Sequence, residues 1–319
     1  MKLKAEIIVG DNRQALKELP DSSVQTVVTS PPYWGLRDYG HDNQIGLEQS
    51  PDDFIEQLCI VFDEVWRVLK DDGTIWVNLG DSYSVMRDSK ASPDSLRTGD
   101  GTRVGSAANR NPENLRKAGL KHKDLVGIPW RFAFAMQARG WYLRSDIIWH
   151  KPNPMPESVT DRPTKSHEYI FLMTKAPRYY YNHEAIKEKA TTVNGKPRQF
   201  GASNQVGTMR NDEGRIFEDN GLKNKRSVWQ VNVKGYKGAH FATYPPELIE
   251  PCILAGSKDG DIVLDPFSGS GTTGEVALKN NRNFIGLELN PDYATISEKR
   301  ITDAVGMFAE FEMRKTREE

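Results

Sequence analysis

The chain has 319 residues, of which 37% are hydrophobic and 27% charged, enough for one large core in a single domain or in a domain with an insertion. Its formal net charge of −1 is no global sign of a nucleic-acid partner, so any such role must come from local basic patches. The 2 cysteines argue against a disulfide framework, and the absence of a signal segment or a bilayer-spanning apolar run favours a reducing cytoplasmic compartment.

Short β-branched segments alternate with helical patterns along most of the chain. Segments 6–12 and 24–30 predict strands, and the apolar spacing within 50–73 predicts a helix that Ser50 caps and Gly73 ends. The later predicted strands are 74–80, 143–151, 167–175, 261–267 and 283–290, and the later predicted helices are 124–140, 244–256, 272–281 and 291–305. This alternation predicts an α/β fold with a mostly parallel sheet covered by helices on both faces.

Two long stretches interrupt the alternation. Residues 84–123 hold nine basic against four acidic residues, and 190–227 hold seven against four. Solvated surface loops are one interpretation of each stretch. Loops of this length inside a compact domain are nevertheless more often functional or disordered than inert. Both stretches are therefore candidate surfaces for contact with nucleic-acid phosphates.

A glycine-rich turn follows the predicted strand 261–267, in the segment VLDPFSGSGTTG. Gly269 and Gly271 allow a tight turn and a close approach of a ligand to the backbone. Asp265 ends this strand, and Glu288 ends the next one, 19 residues after Gly269. A carboxylate at that distance can accept both hydroxyls of a ribose, and Asp265 could balance a cationic group on the ligand. The pattern favours a cationic nucleoside over NAD, with helix capping by the two acids as the alternative.

A second motif, Ser30-Pro31-Pro32-Tyr33, directly follows the predicted strand 24–30. The prolines can neither continue the sheet nor begin a helix cleanly, and they hold the backbone in an extended conformation. A polar side chain and a fixed carbonyl at the carboxyl end of a strand lie where α/β folds bind their ligands. On its own, this tetrapeptide would be interpreted as a simple turn.

Together, the two motifs resemble those of the amino-group DNA methyltransferases, which methylate N4 of cytosine or N6 of adenine. That family carries a [D/N/S]-P-P-[Y/F/W] catalytic loop and an F-x-G-x-G cofactor loop, matched here by residues 30–33 and 267–271. The catalytic motif precedes the cofactor motif, as in the circularly permuted β group. Further segments that resemble this group are IIVGDN, GTIWVNLGDSY, DIIWHKPNPMP and HFATYPPELIEPCI. The resemblance implies a Rossmann-like methyltransferase sheet in permuted order and S-adenosyl-L-methionine as the cofactor.

The resemblance also implies a role for each residue of the catalytic loop. The Ser30 hydroxyl and the Pro31 carbonyl accept hydrogen bonds from the exocyclic amine of the target base, and Pro32 helps to fix that carbonyl. Tyr33 stacks on the base after it has left the duplex. The cofactor-binding residues that the family pattern implies are Asp11, which contacts the adenine amino group, and Asp265, Phe267, Gly269, Gly271, Thr272 and Glu288.

Ser30 is the residue that favours one target base over the other. Within the family, Ser-Pro-Pro-Tyr most often accompanies cytosine N4, whereas Asp or Asn at the first position accompanies adenine N6. We therefore predict cytosine N4, with adenine N6 as the alternative. Methylation at C5 of cytosine is rejected, because Cys252 of the Pro251-Cys252 pair lies in an apolar helical pattern and is expected to be a core residue.

The family pattern divides the chain into two regions. Residues 1–182 and 237–319 form the catalytic and cofactor-binding domain, with the basic insertion at 84–123, and residues 183–236 form the target-recognition region. The candidate DNA contacts are Trp34, Arg37, Arg198 and Arg210. Trp34 is equally well explained as a core aromatic residue.

The expected partner is double-stranded DNA, in the cytoplasm of a prokaryotic or phage-infected cell and in association with the nucleoid. Neither membrane association nor a metal site is predicted. A cognate restriction endonuclease is left open, as is the choice between a monomer and a homodimer. Three other functions also stay open: methylation of RNA or of an amide, which the permuted motif order argues against, DNA binding without catalysis, and nicotinamide-dependent oxidoreduction.

Overall fold

The structure, a computed structural model, describes residues 2–35, 40–41, 43–84, 112–190, 198–199, 216–217, 221–233, 244–306 and 309–317. Of the predicted DNA contacts, Arg37 and Arg210 lie outside the described residues, and for Arg198 only the backbone is described. Most of the predicted insertion at 84–123 also lies outside them.

A nine-stranded sheet dominates the described part of the chain. Its strands are β1 (Leu3–Val9), β2 (Val24–Thr29), β3 (Leu69–Leu79), β4 (Tyr142–His150), β5 (His167–Thr174), β6 (Val228–Gln230), β7 (Ile262–Asp265), β8 (Asn283–Glu288) and β9 (Ala309–Lys315). Their order across the sheet is β6-β4-β5-β3-β2-β7-β8-β1-β9. Neighbouring strands run parallel except for β5, which is antiparallel to both β3 and β4. The mostly parallel sheet expected from the sequence is confirmed.

Helices cover both faces of this sheet. They are α1 (Asn12–Ala15), α2 (Pro51–Val68), α3 (Pro112–Lys117), α4 (Ile128–Ala138), α5 (Pro246–Gly256), α6 (Thr272–Lys279) and α7 (Pro291–Val305). α2 and α4 pack in the core on one face, and α5, α6 and α7 pack in the core on the other. Successive residues of β2 supply both cores, Val27 to the first and Val28 to the second, as expected for a parallel strand buried on both sides. None of the described helices combines the length and the apolar composition needed to cross a membrane.

The second helix begins as predicted but ends earlier. Ser50 caps its first turn, whereas the helix stops at Val68 and Leu69 already begins β3. The predicted helix stop at Gly73 is therefore wrong. This glycine lies inside the strand, where a Cβ would come within 2.9 Å of the Gln25 carbonyl oxygen. Glycine is needed at position 73 because a neighbouring strand's backbone lies close to it, and not because a helix ends there.

Two edge strands were not expected from the sequence. β6 lies within the predicted recognition region 183–236 and pairs in parallel with β4, and its Trp229 is buried in the core. β9 pairs in parallel with β1 at the opposite edge. The sequence pattern does not indicate β9, because charged residues alternate along it and a polar edge strand lacks the apolar run of a central strand. The Arg314 Nε of β9 donates to the Glu6 Oε1 of β1 at 2.7 Å.

The strand order reverses between β2 and β7, which are paired through Thr26 with Val263 and Val27 with Leu264. Ligands of open α/β sheets bind outside the carboxyl ends of strands at such a reversal. The two predicted motifs follow β2 and β7, so the fold brings them to the same point. Because β5 runs in the opposite direction, its amino end, with Glu168, lies at this same edge.

Candidate active site

One cleft at the strand reversal contains both motifs. The described residues that line it include Gly10, Asp11, Asn12, Ser30, Pro31, Pro32, Tyr33, Tyr244, Phe267, Ser268, Gly269, Ser270, Thr272, Glu288, Asn290 and Tyr293. The glycine turn and the proline pair therefore share one crevice. Such a cleft, largely apolar with a few convergent polar groups, is the usual form of a ligand site.

The glycine turn is shaped by two positive φ angles. Gly269 has φ +51° and Gly271 has φ +77°, a region that side chains with a Cβ rarely adopt. Gly271 lies behind the cleft wall at the start of α6, where a Cβ would overlap Ser297 of α7. The Gly269 N–H donates to Glu288 Oε2 at 2.7 Å. The turn is thereby tied to the acidic residue that ends β8.

Glu288 is a half-buried acceptor on the cleft wall. Its second oxygen, Oε1, accepts from the Asn290 N–H at 2.9 Å, so each carboxylate oxygen holds one backbone donor. Because a carboxylate oxygen has two lone pairs, each oxygen of Glu288 can accept one hydrogen bond in addition to the one it already accepts. Burial is the main cause that raises the pKa of Glu288 to about 7. The residue can accept two hydroxyls when it is ionised.

Asp11 also lines the cleft, in the turn after β1, and caps α1. Its Oδ1 accepts from the Arg13 N–H at 2.9 Å, and its Oδ2 pairs with the Arg13 guanidinium at 2.6 Å. Next to it, the Asn12 side chain donates to the Pro266 carbonyl at 3.0 Å. The turn after β1 is thus joined to the turn after β7, and hydrogen bonds between residues of the protein stabilise both turns.

Asp265 lies beneath the cleft and is not among the described residues that line it. The side chain is 1% exposed, and burial raises its pKa. Its carboxylate accepts from the hydroxyls of Thr29 at 2.6 Å, Thr273 at 2.5 Å and Tyr244 at 3.1 Å, and from the Phe267 N–H at 3.0 Å. The sequence suggested that Asp265 balances a cation on the ligand, whereas in the structure its carboxylate faces the interior and does not line the cleft. Asp265 joins the end of the catalytic strand to the glycine turn and α6.

The catalytic loop is held by a residue that sequence reasoning missed. The Tyr33 hydroxyl donates to Glu168 Oε2 at 2.6 Å. Burial, followed by the charge of Glu168, raises the pKa of Tyr33 well above its ordinary value. The available signal was an acidic residue at the start of the otherwise apolar strand 167–175, where a carboxylate needs a partner.

One aromatic residue and one thiol residue considered in the sequence analysis, Trp34 and Cys252, are buried core residues. Trp34 is 6% exposed and its indole N–H donates to the Glu48 carbonyl at 3.0 Å, which favours the core interpretation over DNA contact. Cys252 is fully buried in α5, and burial raises the pKa of its thiol. A thiol with a raised pKa is a poor nucleophile, in agreement with the rejection of C5 methylation.

Comparison with known proteins gives a consistent result. A family model described as DNA methylase, the N6/N4 methyltransferase family, matches residues 24–299. The chain is 49% identical over 297 residues to the type II methyltransferase M.Cfr9I of Citrobacter freundii, covering 93% of this chain and 87% of the relative. It is 47% identical over 296 residues to the type II methyltransferase M.SmaI of Serratia marcescens, covering 93% and 90%.

Solved structures of low sequence identity share the fold. TTHA0409 of Thermus thermophilus, complexed with S-adenosyl-L-methionine, superposes with a TM-score of 0.59 at 24% identity, covering 97% of this chain and 99% of that one. The PvuII DNA methyltransferase, named as cytosine-N4-specific, superposes with a TM-score of 0.61 at 18% identity, covering 98% and 96%. The predicted Rossmann-like methyltransferase sheet is confirmed. The chain belongs to the N6/N4 DNA methylase family and is a DNA methyltransferase.

Proposed function

We propose that the protein transfers the methyl group of S-adenosyl-L-methionine to the exocyclic N4 of a cytosine in double-stranded DNA. The observation that supports this most is that Ser30 and the glycine turn open into one cleft. Methyl donor and amine acceptor can therefore meet in line, which turns a bimolecular encounter into an oriented one.

The cleft has the polar groups that this cofactor needs. Glu288 presents a carboxylate for the two ribose hydroxyls, and Asp11 presents one for the adenine amino group. Ser268 also lines the cleft. Phe267 and Tyr293 supply apolar wall. When bound, S-adenosyl-L-methionine supplies an electrophilic methyl group on a sulfonium.

The catalytic loop supplies acceptors for the amine. The lone pair of an exocyclic amine is delocalised into the ring, so acceptors aimed at its N–H groups are needed to draw the nitrogen towards a tetrahedral shape. A serine hydroxyl oxygen has two lone pairs that can accept hydrogen bonds, and Ser30 lines the cleft. The Ser30 oxygen can therefore accept a hydrogen bond from the amine. The Pro31 carbonyl, fixed by the proline pair, is the second acceptor.

The target base must leave the duplex to reach these acceptors. Enzymes that act on a base extrude it into a pocket, where an aromatic side chain commonly stacks on it. Tyr33 lines the cleft and its hydroxyl is held from behind, so its ring is in place before the base arrives. Serine at the first position of the motif supports cytosine, because in the family this tetrapeptide most often accompanies that base.

One experiment separates the alternatives. The protein is incubated with labelled S-adenosyl-L-methionine and mixed-sequence DNA, the DNA is digested to nucleosides, and the labelled nucleoside is identified by mass. N4-methylcytosine is expected. N6-methyladenine would overturn the choice of base, and no transfer by a protein that binds DNA would indicate a non-catalytic role.

Ser30→Ala is the matched variant for this assay. It should lower turnover strongly while the affinity for the cofactor, measured by calorimetry, changes little, because Ser30 serves the amine. An equal loss of both quantities would contradict the assigned role. Contacts to DNA by Arg37, Arg198 and Arg210, a cognate restriction endonuclease and the oligomeric state stay predictions from the sequence.

A further inference from the structure

An arginine behind the glycine turn holds two hydroxyl groups of the cleft wall. Arg300 of α7 donates from Nη1 to Thr272 Oγ1 at 2.7 Å and to Ser270 Oγ at 3.2 Å. Both hydroxyl residues line the cleft. We propose that Arg300 is a positioning residue, which orients these two hydroxyls as donors to the carboxylate of S-adenosyl-L-methionine. The proposal rests on the proposed function and assigns a partner to the part of the cofactor that Glu288 and Asp11 do not serve.

The direction of these hydrogen bonds follows from the chemistry of the guanidinium group. Arginine donates and cannot accept, and Nη1 carries two N–H groups, one for each hydroxyl. The oxygens of Ser270 and Thr272 are therefore the acceptors, so each hydroxyl keeps its own proton for another partner. Because both side chains line the cleft, a ligand there can accept from them. A carboxylate, which only accepts when it is ionised, is the complementary group.

The guanidinium is itself held by a carboxylate of the neighbouring helix. Arg300 Nε donates to Glu275 Oε2 of α6, and the other oxygen of Glu275 pairs with the Lys279 ammonium at 2.6 Å. The side chains of Arg300 and Glu275 are 10% and 15% exposed. A buried arginine needs such a partner, and the planar group that is fixed at Nε has little freedom left at Nη1. The donors to the two hydroxyls are thus in place before a ligand binds.

Close packing of α7 against the glycine turn brings the arginine within reach. A Cβ on Gly271 would overlap Ser297 Oγ and would lie 3.0 Å from the Ser297 Cα. Ser297 lies three residues before Arg300, on the same side of the helix. A side chain at position 271 would therefore push α7, and Arg300 with it, away from the turn. The glycine is an independent observation that supports the contact.

The carboxylate belongs to the amino-acid end of the cofactor, which the proposed function does not yet assign. Glu288, the acceptor for the ribose, is tied to the Gly269 N–H at 2.7 Å, and Ser270 is the next residue of the same turn. The two hydroxyls therefore continue the cleft wall beyond the ribose position. Within the part of the chain that the structure describes, Arg300 itself does not line the cleft. It can act on the ligand through the hydroxyls that it holds.

Two ligands that differ only in the carboxylate test the proposal. S-adenosyl-L-methionine and its decarboxylated form share the adenosine, the sulfonium and the amino group. Their dissociation constants are measured by calorimetry without DNA, and the wild type should bind S-adenosyl-L-methionine more tightly. Arg300→Gln should weaken that binding by about tenfold, as expected for a hydrogen bond to a charged group, and should change the affinity for the decarboxylated form by less than about twofold.

Variants of the hydroxyl residues show whether Arg300 acts through them. Thr272→Val keeps the shape of the side chain, removes one donor, and should weaken the binding of S-adenosyl-L-methionine alone. In protein that carries both Ser270→Ala and Thr272→Val, addition of Arg300→Gln should change the affinity by less than about twofold, because nothing remains for Arg300 to orient. A further tenfold loss in that background would overturn the proposal, since Arg300 would then act without the hydroxyls.

Arg282→Gln is the matched control. Arg282 is likewise a buried arginine, 7% exposed, whose Nε donates to the Ser257 hydroxyl at 3.2 Å and whose Nη1 pairs with Asp259 at 2.6 Å. It directly precedes β8, at the end of the strand opposite to Glu288. Arg282→Gln should lower the melting temperature and leave both dissociation constants at their wild-type values.

The pattern across the two ligands separates positioning from a general structural role. Equal losses for both ligands in Arg300→Gln would show that the turn is merely disrupted, and unchanged affinities would show that the contact is not used. Either result would refute the positioning role and leave the proposed function intact. A wild type that binds neither ligand would refute both.

Discussion

Glu288 should make nucleoside binding depend on pH near neutrality. Its pKa is raised to about 7, mainly by burial, so the carboxylate ionises well above the range of an ordinary glutamate. Only the ionised form can accept both ribose hydroxyls. Binding should therefore be tightest above the pKa and weaken as the pH falls through it. At one pH unit below the pKa, about one molecule in eleven is ionised, so the affinity should be about tenfold lower.

Adenosine is the suitable probe, because it has the ribose hydroxyls and no group that titrates near neutral pH. Its dissociation constant is measured by calorimetry across the neutral range for the wild type, Glu288→Gln and the exposed control Glu310→Gln. The control should follow the wild type, and Glu288→Gln should bind weakly at every pH. A wild-type affinity that is constant, or that rises as the pH falls, would refute the reasoning.

Glu288 should also make the stability of the folded protein depend on pH, in the direction opposite to that of nucleoside binding. Because the pKa of Glu288 is higher in the folded than in the unfolded protein, its contribution is fully present below the unfolded pKa and is lost as the pH rises through about 7. The melting temperature without ligand should thus fall across neutrality, and this part of the fall should be missing in Glu288→Gln.

Two further perturbations follow from packing. A Cβ on Gly80, which directly follows β3, would lie 2.7 Å from Tyr33 Cε2, so Gly80→Ala should displace the Tyr33 ring. A displacement approaching 1 Å can lower kcat by about 100-fold. Gly73→Ala, near the other end of β3, should lower the melting temperature and leave kcat unchanged, and equal kcat losses in both variants would contradict this explanation. Asp265→Asn should reduce the free energy of unfolding in urea by about 1–3 kcal/mol, because the amide keeps one acceptor oxygen where the carboxylate has two, so two of the four buried donors lose their acceptor. An unchanged denaturation midpoint would show that Asp265 does not join the two motifs.

The meeting of the two motifs could be predicted from the sequence for a clear physical reason. Both follow short apolar strands, and the carboxyl ends of parallel strands lie at one edge of a sheet. The glycine turn also had a local signal, since Gly269 adopts a positive φ that other residues avoid. The acid at 288, 19 residues later, completed the pattern, and the structure places it against that turn.

Other features depend on information that local patterns do not contain. Glu168 reaches the catalytic loop only because β5 runs antiparallel, and strand direction is set by packing and not by periodicity. Asp265 looked like a cleft charge because it ends a strand, but its side chain points to Thr29, Thr273 and Tyr244 in the interior. Trp34 had two equally good interpretations, and only burial distinguishes them.

The most direct test of a shared site for methyl donor and amine is a crystal structure with S-adenosyl-L-methionine bound. The expected result is a ribose on Glu288, and a methyl group directed at the space between Ser30 and the Pro31 carbonyl, with room there for one base. A cofactor bound outside this cleft, or a methyl group directed away from Ser30, would contradict it.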